Sequence, residues 1–588
     1  MNFSETPTNL SPPSHTAAAS AVVMPVGSRL PSARIALPWI VATATLVISP
    51  MLWLGQASGH DFQFHLASWL DVELQWHSGV MFPRWAVWAN YGFGEPRFIF
   101  YPPASWILGA GLGSVLPWRI VPGAVLWLSL VLAGFSMFHL ARRWMPPAGA
   151  IAAAVFYAAN PYHLVIVYFR SDFAELMASA LFPLLFSFAL DEELSRWRRI
   201  ASLAAVFAAI WLCNAPAAVI ATYSLAAVIV FRALRGKSLR ILLDGATSLA
   251  AGFSLAAFYI LPAAFERRWV NIEGALAPQL RPENNFLFAR SNDIDFVRFN
   301  WKVSAVAAGV MAICLLATIV ARRGRRLPAA AWEQFALLAA LSACLMLPMT
   351  DFTWRHAPEL RFVQFPWRWL IPLNVSCWLF FAAATTRLRR STGLRPLPPC
   401  TPTPPRRTYW MWAATAFCLA LTATAMVRNC WWDSEDIPFL QQAIASGHGY
   451  EGTDEYEPLG CDRYSLPEHS PRVVFLDSEG NSYGRAARIV QWIPEKKEIH
   501  VAAGESATMA VKLIQYPAWK AEINGRPANI ESRPETAQIL LALAAGKSAV
   551  HLRFTRTPDR TAGAAISIAI AAALLCAAFA ESLRGRLS

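Results

Sequence analysis

Acidic and basic side chains stand at three places in the sequence where an apolar run begins or ends. Asp61 follows the first such run, Asp172 and Glu175 open another, and Arg368 precedes a third. A carboxylate at low dielectric has a raised pKa unless a cation or donors stabilise it, and it can then act as a general base or bind a metal ion. An arginine at the lipid boundary can hold a phosphate through two hydrogen bonds. The three places together predict chemistry on a lipid headgroup.

Asp61 lies in Gly59-His60-Asp61, a few residues after the first apolar run. One interpretation makes it a general base or, with His60 and His65, a ligand of a divalent metal ion. The other makes it a solvated aspartate that caps the following helix, with the histidines as hydrogen-bonding groups at the membrane interface. His60 and His65 are five residues apart, so they do not share one helical face.

Asp172 and Glu175 are three residues apart and therefore lie on one face of a helix start. Glu175 is expected about one turn inside the membrane, where an ionisable group is a functional hypothesis by default. The alternative is a carboxylate that complements the helix dipole, with Arg170 as its partner.

Arg368 stands between Trp367 and Trp369, which we expect to anchor it at the outer headgroup level. There it can bind a lipid phosphate, or its side chain can simply extend to the interface. The segment 91–103 is rich in Gly, Pro and aromatic residues, which suits either a binding loop or packing against headgroups. Its polar candidates are Tyr91, Glu95, Arg97 and Tyr101.

The elements that carry these residues are predicted to cross a membrane. Of the 588 residues 55% are hydrophobic and 15% charged, against about 25% charged in soluble domains, which excludes a single soluble domain. Apolar runs of spanning length predict twelve helices, at 35–55, 120–141, 148–166, 173–190, 200–214, 215–232, 241–263, 303–321, 329–348, 369–386, 409–427 and 561–583. A shorter run, 103–117, is expected to be re-entrant or interfacial.

Lys and Arg accumulate in short cytoplasmic loops of membrane proteins. With twelve spans and a cytoplasmic N-terminus, the main basic clusters, among them Arg142-Arg143 and Arg322-Arg323, fall on one side. The net charge of +13 is thereby explained by topology, and nucleic-acid binding is not expected. The opposite side receives 56–119, 264–302 and 428–560. A signal peptide ending near Gly55-Gln56-Ala57 is the rival to a retained first span.

The predicted domains follow from this topology. Residues 1–34 are expected to be a disordered cytoplasmic N-terminus, 35–427 a transmembrane domain with the outer loop 56–119, and 428–469 an outer linker. Residues 62–77 show an apolar stripe at helical spacing, which predicts an interfacial helix. Cys430 and Cys461 face outward, where they either form a disulfide or remain two thiols.

Residues 470–557 change to short alternating segments, which predict a small β-sandwich. The strongest local signal is Asn524-Gly525, a pair typical of a two-residue hairpin turn because both positions favour positive φ. The last predicted span, 561–583, follows this domain. A binding or supporting role is expected for it.

The motifs together resemble a known family. Gly59-His60-Asp61, Tyr91-Gly92-Phe93-Gly94 with Phe100-Tyr101-Pro102-Pro103, Arg170 with Glu175, and Phe365-Pro366-Trp367-Arg368 resemble bacterial integral membrane proteins labelled 6-pyruvoyl-tetrahydropterin synthase-related. That group is similar to the GT-C superfamily of polyprenyl-phosphate-sugar glycosyltransferases. The label does not describe an activity, since the soluble pterin enzyme has a three-His zinc site that nothing here matches.

The resemblance implies a polytopic α-helical, GT-C-like protein of the bacterial cytoplasmic (inner) membrane. It implies transfer of a sugar from a polyprenyl phosphate at the outer face, with Asp61 and Glu175 as catalytic candidates and Arg368 or Arg170 stabilising the phosphate. A non-catalytic protein that binds or moves lipid-linked glycans is the alternative. A divalent metal, held by Asp61 and His60, stays open. The substrate-binding candidates are His60, His65, Tyr91, Glu95, Arg97, Tyr101, Arg170, Asp172 and Arg368.

Overall fold

The computed structural model describes residues 29–290, 293–386, 406–477, 480, 482–483 and 486–587. The predicted disorder of residues 1–28 and most of the Pro-rich segment 391–408 lie outside the described residues. Residues 29–34, predicted to belong to the disordered N-terminus, begin the first helix instead.

Helices dominate the chain as far as residue 445, and one more follows the β-rich region. Their bounds are α1 Arg29–Ile48, α2 Met51–Leu54, α3 Phe62–His77, α4 Ala89–Gly92, α5 Arg97–Phe100, α6 Pro103–Gly113, α7 Val121–Ala141, α8 Pro147–Ala158, α9 Pro161–Val165, α10 Phe173–Ala189, α11 Arg196–Cys213, α12 Ala215–Gly236, α13 Leu239–Leu255, α14 Ala257–Glu266, α15 Ile294–Arg323, α16 Ala329–Leu345, α17 Asp351–His356, α18 Leu370–Thr385, α19 Arg406–Asn429, α20 Asp436–Ala445 and α21 Pro558–Leu587.

Every predicted span coincides with a helix or a pair of helices. Within the described part of the chain, seven helices are long and apolar enough to cross a membrane, or nine if each of two bent pairs is one span. The bends are 74° between α13 and α14 and 92° between α16 and the segment that contains α17. The helices α10 and α18 have 17 and 16 residues and are mostly buried. The total of twelve spans stays a prediction.

The helix predicted at 62–77 is present as α3, with the predicted bounds. It packs against α6, and ten of its sixteen residues are buried. Both apolar and polar residues of α3 are therefore buried against other parts of the protein, because the outer loop and the helical bundle surround this helix.

Two five-stranded antiparallel sheets form the C-terminal β-rich region. Their strands are β3 Val473–Leu476, β4 Ser482–Tyr483, β5 Ala487–Ile493, β6 Lys496–Ala503, β7 Ala507–Ile514, β8 Trp519–Ile523, β9 Arg526–Ala528, β10 Glu531–Ser532, β11 Gln538–Leu543 and β12 Gly546–Phe554. One sheet has the order β10-β11-β7-β3-β4 and the other β5-β6-β12-β8-β9. The predicted turn joins β8 and β9, with φ of 51° at Asn524 and 76° at Gly525. A single apolar cluster includes residues of both sheets, such as Ile539 and Val550.

Contacts between residues distant in sequence join the segments that flank this region to earlier parts of the chain. The short strands β1 (Gln56–Ala57) and β2 (Trp432–Asp433) pair with each other. Near the start of α21, Arg560 donates to both carboxylate oxygens of Glu266 at 2.7 and 2.9 Å. Cys430 and Cys461 are free thiols, so the two-thiol alternative describes them.

Candidate functional site

The loop that carries Asp61 lies directly on the turn between α9 and α10. The backbone N–H of Asp61 donates to the carbonyl of Arg170 at 2.8 Å, and that of Gly59 donates to Ser171 Oγ at 3.0 Å. Ser171 Oγ in turn donates to the carbonyl of Ala57 at 2.7 Å. A Cβ at position 59 would approach the carbonyl carbon of Arg170 to 2.5 Å. Glycine is therefore required for this close contact between two backbones.

Local sequence explains the shape of the turn. Residues Ile166–Arg170 form a π-helical turn, and Ser171 adopts a left-handed conformation with φ of 53°. Asp172 then caps α10 by accepting a hydrogen bond from the Glu175 N–H at 2.9 Å, which satisfies an otherwise unpaired amide. The reversal brings Arg170, Asp172 and Glu175 to one point.

The predicted charged residues converge in a single network. Arg170 Nη2 donates to Asp61 Oδ2 at 2.9 Å and to Asp172 Oδ2 at 3.0 Å, while Nη1 donates to Glu175 Oε2. Arg368 Nε donates to the same Glu175 oxygen at 2.9 Å. With their ordinary charges, the three carboxylates outnumber the two guanidiniums by one. We call these five residues the charged cluster.

Burial separates Asp61 from the other members of the charged cluster. The Asp61 side chain is 35% exposed, while the other four side chains are 5% exposed or less. Asp61 stands at the N-terminus of α3 but accepts no capping hydrogen bond, so the capping interpretation is wrong. Its second oxygen, Oδ1, has no hydrogen-bond partner among the described residues. One carboxylate oxygen is thus held by Arg170 and the other is available to a ligand.

His65 and Tyr101 extend the charged cluster on the α3 side. His65 Nε2 lies 3.6 Å from Asp172 Oδ1, and the Tyr101 hydroxyl lies 3.4 Å from the same nitrogen. Burial alone would raise the pKa of Asp172, but Arg170 and the contact with His65 outweigh it and lower this pKa below its usual value. Burial also raises the pKa of Tyr101, which keeps its hydroxyl protonated.

Arg368 differs from its predicted setting. Its side chain is buried and also donates to the Val363 carbonyl at 2.8 Å. Trp367 and Trp369, expected as interfacial anchors, are 1% and 0% exposed and belong to the core. The prediction that the two tryptophans anchor the segment at the interface is therefore wrong, because both are buried in the protein. The position of Arg368 at the headgroup level stays a prediction. Both arginines proposed for phosphate are already paired with carboxylates.

His60 faces a cavity of about 340 Å³ beside the charged cluster. The ring of His60 packs on Phe299 of α15 with centroids 4.8 Å apart, and burial lowers the pKa of His60, which favours the neutral ring. Two basic residues of α15, Arg298 and Lys302, line the same cavity together with the acidic Asp295. Sequence reasoning missed both. The available signal was their predicted position on the outer side, against the usual distribution of basic residues.

Glu95 and Arg97 lie in a second buried cluster. Arg97 Nε donates to Glu95 Oε1 at 2.6 Å, and the Thr453 N–H donates to Glu95 Oε2 at 3.1 Å. Tyr91 lies apart from both clusters, against the ring of His448 with centroids 5.4 Å apart. The segment 89–101 is thus fastened to residues 450–453 by protein contacts, and its predicted binding role stays a prediction.

A metal ion would need several donors at one place. Among the residues that the structure describes, no three His, Cys, Asp or Glu side chains converge in a geometry that could hold one. His60 points to the cavity, while Asp61 turns to Arg170.

Comparisons with known proteins give one family match and several distant folds. Residues 98–392 match the family model described as "6-pyruvoyl-tetrahydropterin synthase related domain; membrane protein". This range includes Arg170, Asp172, Glu175 and Arg368, and Asp61 precedes it. No curated protein gives a match.

Among solved structures, the arabinofuranosyltransferase AftD from Mycobacteria aligns with a TM-score of 0.41 and 15% identity over 71% of this chain. This chain spans 29% of the AftD chain. ArnT from Cupriavidus metallidurans, solved bound to undecaprenyl phosphate, aligns with a TM-score of 0.28 and 14% identity, over 61% of this chain and 78% of the ArnT chain.

Proposed function

The chain belongs to the membrane protein family described as 6-pyruvoyl-tetrahydropterin synthase related. From the charged cluster of this chain we propose that the protein is a sugar transferase. The proposed donor is a polyprenyl-phosphate sugar in the outer leaflet of the bacterial cytoplasmic membrane. The acceptor is a hydroxyl group that reaches Asp61 from the extracytoplasmic side. The observation that carries this proposal is the partly exposed Asp61, held by Arg170 next to a cavity whose lining includes two cations, Arg298 and Lys302, and one acid, Asp295.

Asp61 is assigned as the general base. Its Oδ1 accepts the proton of the acceptor hydroxyl while Arg170 fixes Oδ2, and a positioned base of this kind contributes about 10²–10⁴-fold to rate. The acceptor oxygen forms a bond to the anomeric carbon. The bond from that carbon to the phosphate oxygen breaks, and the phosphate leaves with the electron pair.

Negative charge that develops on the leaving phosphate needs positively charged partners. Arg170 and Arg368 are already paired with Asp61, Asp172 and Glu175, so binding phosphate through them would leave buried carboxylates without partners, which is costly. Arg298 and Lys302 line the neighbouring cavity together with Asp295, which lies 3.3 Å from Arg298 and is its only ion-pair partner within the described part of the chain. We assign the leaving phosphate to these two side chains and to the N–H of the neutral His60 ring.

Glu175 takes a positioning role in this scheme. Its side chain is fully buried, with Oε2 engaged by Arg170 and Arg368 and Oε1 by the Tyr162 hydroxyl. No oxygen is left to accept a proton from a substrate. Together with Asp172 it orients Arg170, which in turn orients Asp61.

The lipid part of the donor fits the surroundings of the cavity. Trp431 lines it and is 72% exposed, and tryptophan is enriched at the interface between membrane and water. The phosphate can therefore enter from the lipid while the polyprenyl chain remains in the bilayer.

The test is release of polyprenyl phosphate by the purified protein in nanodiscs, given a panel of polyprenyl-phosphate sugars and an extract of envelope glycans as acceptor. Asp61→Asn should lower release at least about 100-fold and leave the melting temperature unchanged. The matched control is Asp351→Asn, because Asp351 is 33% exposed and paired with Arg355 at 2.7 Å. The control should retain activity.

Two outcomes oppose the proposal. Full activity of Asp61→Asn removes the catalytic assignment. Binding of a polyprenyl-phosphate sugar without any release by the unaltered protein favours the alternative function, a protein that binds or moves lipid-linked glycans.

A further inference from the structure

We propose that the β-rich region binds an anionic oligosaccharide in a groove on the free face of its second sheet. The groove has a volume of about 620 Å³, which is within the range of small-ligand sites. It lies where β12 begins, and its last lining residue in that strand, Ala549, is five residues of extended strand, about 17 Å, from Phe554, the end of β12 that leads into α21. The groove is therefore distinct from the charged cluster.

Strand alternation creates the groove. In β12, Ser548, Val550 and Leu552 are buried, so Lys547 and Ala549 face the other side of the sheet. Ala502 of β6 is paired with Lys547, and His500 with Ala549. The two alanines form a low floor between longer side chains.

The walls of the groove are fixed by the predicted hairpin turn. Asn524 Oδ1 accepts the N–H of Ala549 at 2.8 Å, and Asn524 Nδ2 donates to the Lys547 carbonyl at 3.3 Å. The side chain of Asn524 thereby ties the β8–β9 turn to the start of β12. Because these polar atoms are satisfied within the sheet, the wall is rigid before a ligand arrives.

Unpaired positive charge identifies the ligand class. Arg488 of β5 and Lys547 both line the groove, and within the described part of the chain neither has an acidic partner within 4 Å. No acidic residue is among the lining residues. The acids on the same sheet face, Glu498 and Glu522, lie outside the groove, and Glu498 contacts His500 at 3.2 Å. The field of the groove therefore favours an anion.

Among anionic ligands, the volume and the lining residues of the groove favour an oligosaccharide that carries carboxylates or phosphates. A single phosphate would leave most of 620 Å³ unfilled. Long guanidinium and ammonium groups separated by a small-residue floor match charges spaced along a polymer. Aromatic side chains are missing from the described lining, so recognition relies on charge and not on ring stacking.

The experiment measures binding to the full chain in nanodiscs of zwitterionic phosphatidylcholine, without any donor. The probe is tetragalacturonic acid, with uncharged maltotetraose as a length-matched control and inorganic tripolyphosphate as a non-sugar anion. We expect tetragalacturonic acid to bind at least tenfold more tightly than maltotetraose. Its affinity should fall at least tenfold in the double variant Arg488→Gln, Lys547→Gln.

The matched variant is Lys520→Gln, Arg553→Gln, which removes two exposed cations from the other end of the same sheet, where they are paired in register. It should change the affinity less than twofold. Equal loss in both variants, or equal binding of both oligosaccharides, would overturn the proposal. Binding of tripolyphosphate with no binding of tetragalacturonic acid would also overturn it. Asp61→Asn should keep full affinity, so this test is independent of the proposed transfer.

Discussion

At the scale of single residues, the members of the charged cluster differ in their exposure to solvent, and this difference gives them different roles. Burying Arg170, Arg368, Asp172 and Glu175 carries a desolvation penalty that only close pairing and hydrogen bonding can offset. Asp61 remains 35% exposed and avoids most of that penalty. The buried members therefore define the position of Asp61, while Asp61 alone can exchange a proton with a bound acceptor.

Glu455, which lies near Glu95 and Arg97 of the second buried cluster, gives a pH-dependent prediction. Burial raises the pKa of Glu455 to about 7, and the nearby Glu95 also raises it. The folded chain then binds more protons than the unfolded chain between about pH 4.5 and 7. The protonated side chain of Glu455 therefore stabilises the fold fully below about pH 4.5, its pKa in the unfolded chain, and this stabilisation is lost as the pH rises through 7. The shift corresponds to about 3 kcal/mol at most.

The variant Glu455→Gln should consequently raise the melting temperature of the purified chain at pH 8 and change it little at pH 5. Glu451→Gln is the control, since its side chain is 64% exposed and should have little effect at either pH. If Glu455→Gln melted below the unaltered chain at pH 8, the buried-acid account would be wrong.

At the scale of elements, sequence patterns located the helices and strands but not their partners. The stripe in 62–77 and the Asn524-Gly525 pair gave α3 and the β8–β9 hairpin because both signals are local. The pairing of Arg368 with Glu175 joins residues 193 positions apart, and no spacing rule specifies it. For the same reason Trp367 and Trp369 were expected at the interface and are in the core.

Gly59 tests whether contact between elements positions Asp61. In Gly59→Ala, the new methyl group would lie 2.5 Å from the Arg170 carbonyl carbon and 2.6 Å from the Phe169 carbonyl oxygen. The 57–61 loop must then move away from the α9–α10 turn, at a cost of about 1–3 kcal/mol. A displacement of about 1 Å can reduce catalysis about 100-fold.

We expect a loss of polyprenyl-phosphate release of that order, with the chain still folded by its melting curve. The control Gly123→Ala lies on α7, where a Cβ meets no described heavy atom within 4 Å. Unchanged activity in Gly59→Ala would mean that this contact does not position the base.

At the scale of the whole molecule, the helical membrane architecture that hydropathy predicted is confirmed, while the number of spans stays a prediction. Hydropathy counts apolar length alone, whereas tertiary packing buries short helices such as α10 and α18 and bends others by 74° and 92°. The β-rich region was predictable from alternation and turn residues. Arg298 and Lys302 were not singled out, because the cavity they share with His60 exists only after α15 packs beside the first outer loop.

The orientation of the chain is the last prediction, and the proposed function depends on it. Basic clusters such as Arg196 to Arg199 should face the cytoplasm, and Asp61 should face outward. Ser446, just after α20, reports the side of Asp61, because Ser58 and Gln63 both donate to Asp436 of α20, at 2.5 and 2.7 Å. In intact spheroplasts a membrane-impermeant maleimide should label Ser446→Cys. It should label Arg198→Cys only after permeabilisation, with the unsubstituted chain as the background. The reverse pattern would put Asp61 in the cytoplasm, where an outer-leaflet donor cannot reach it.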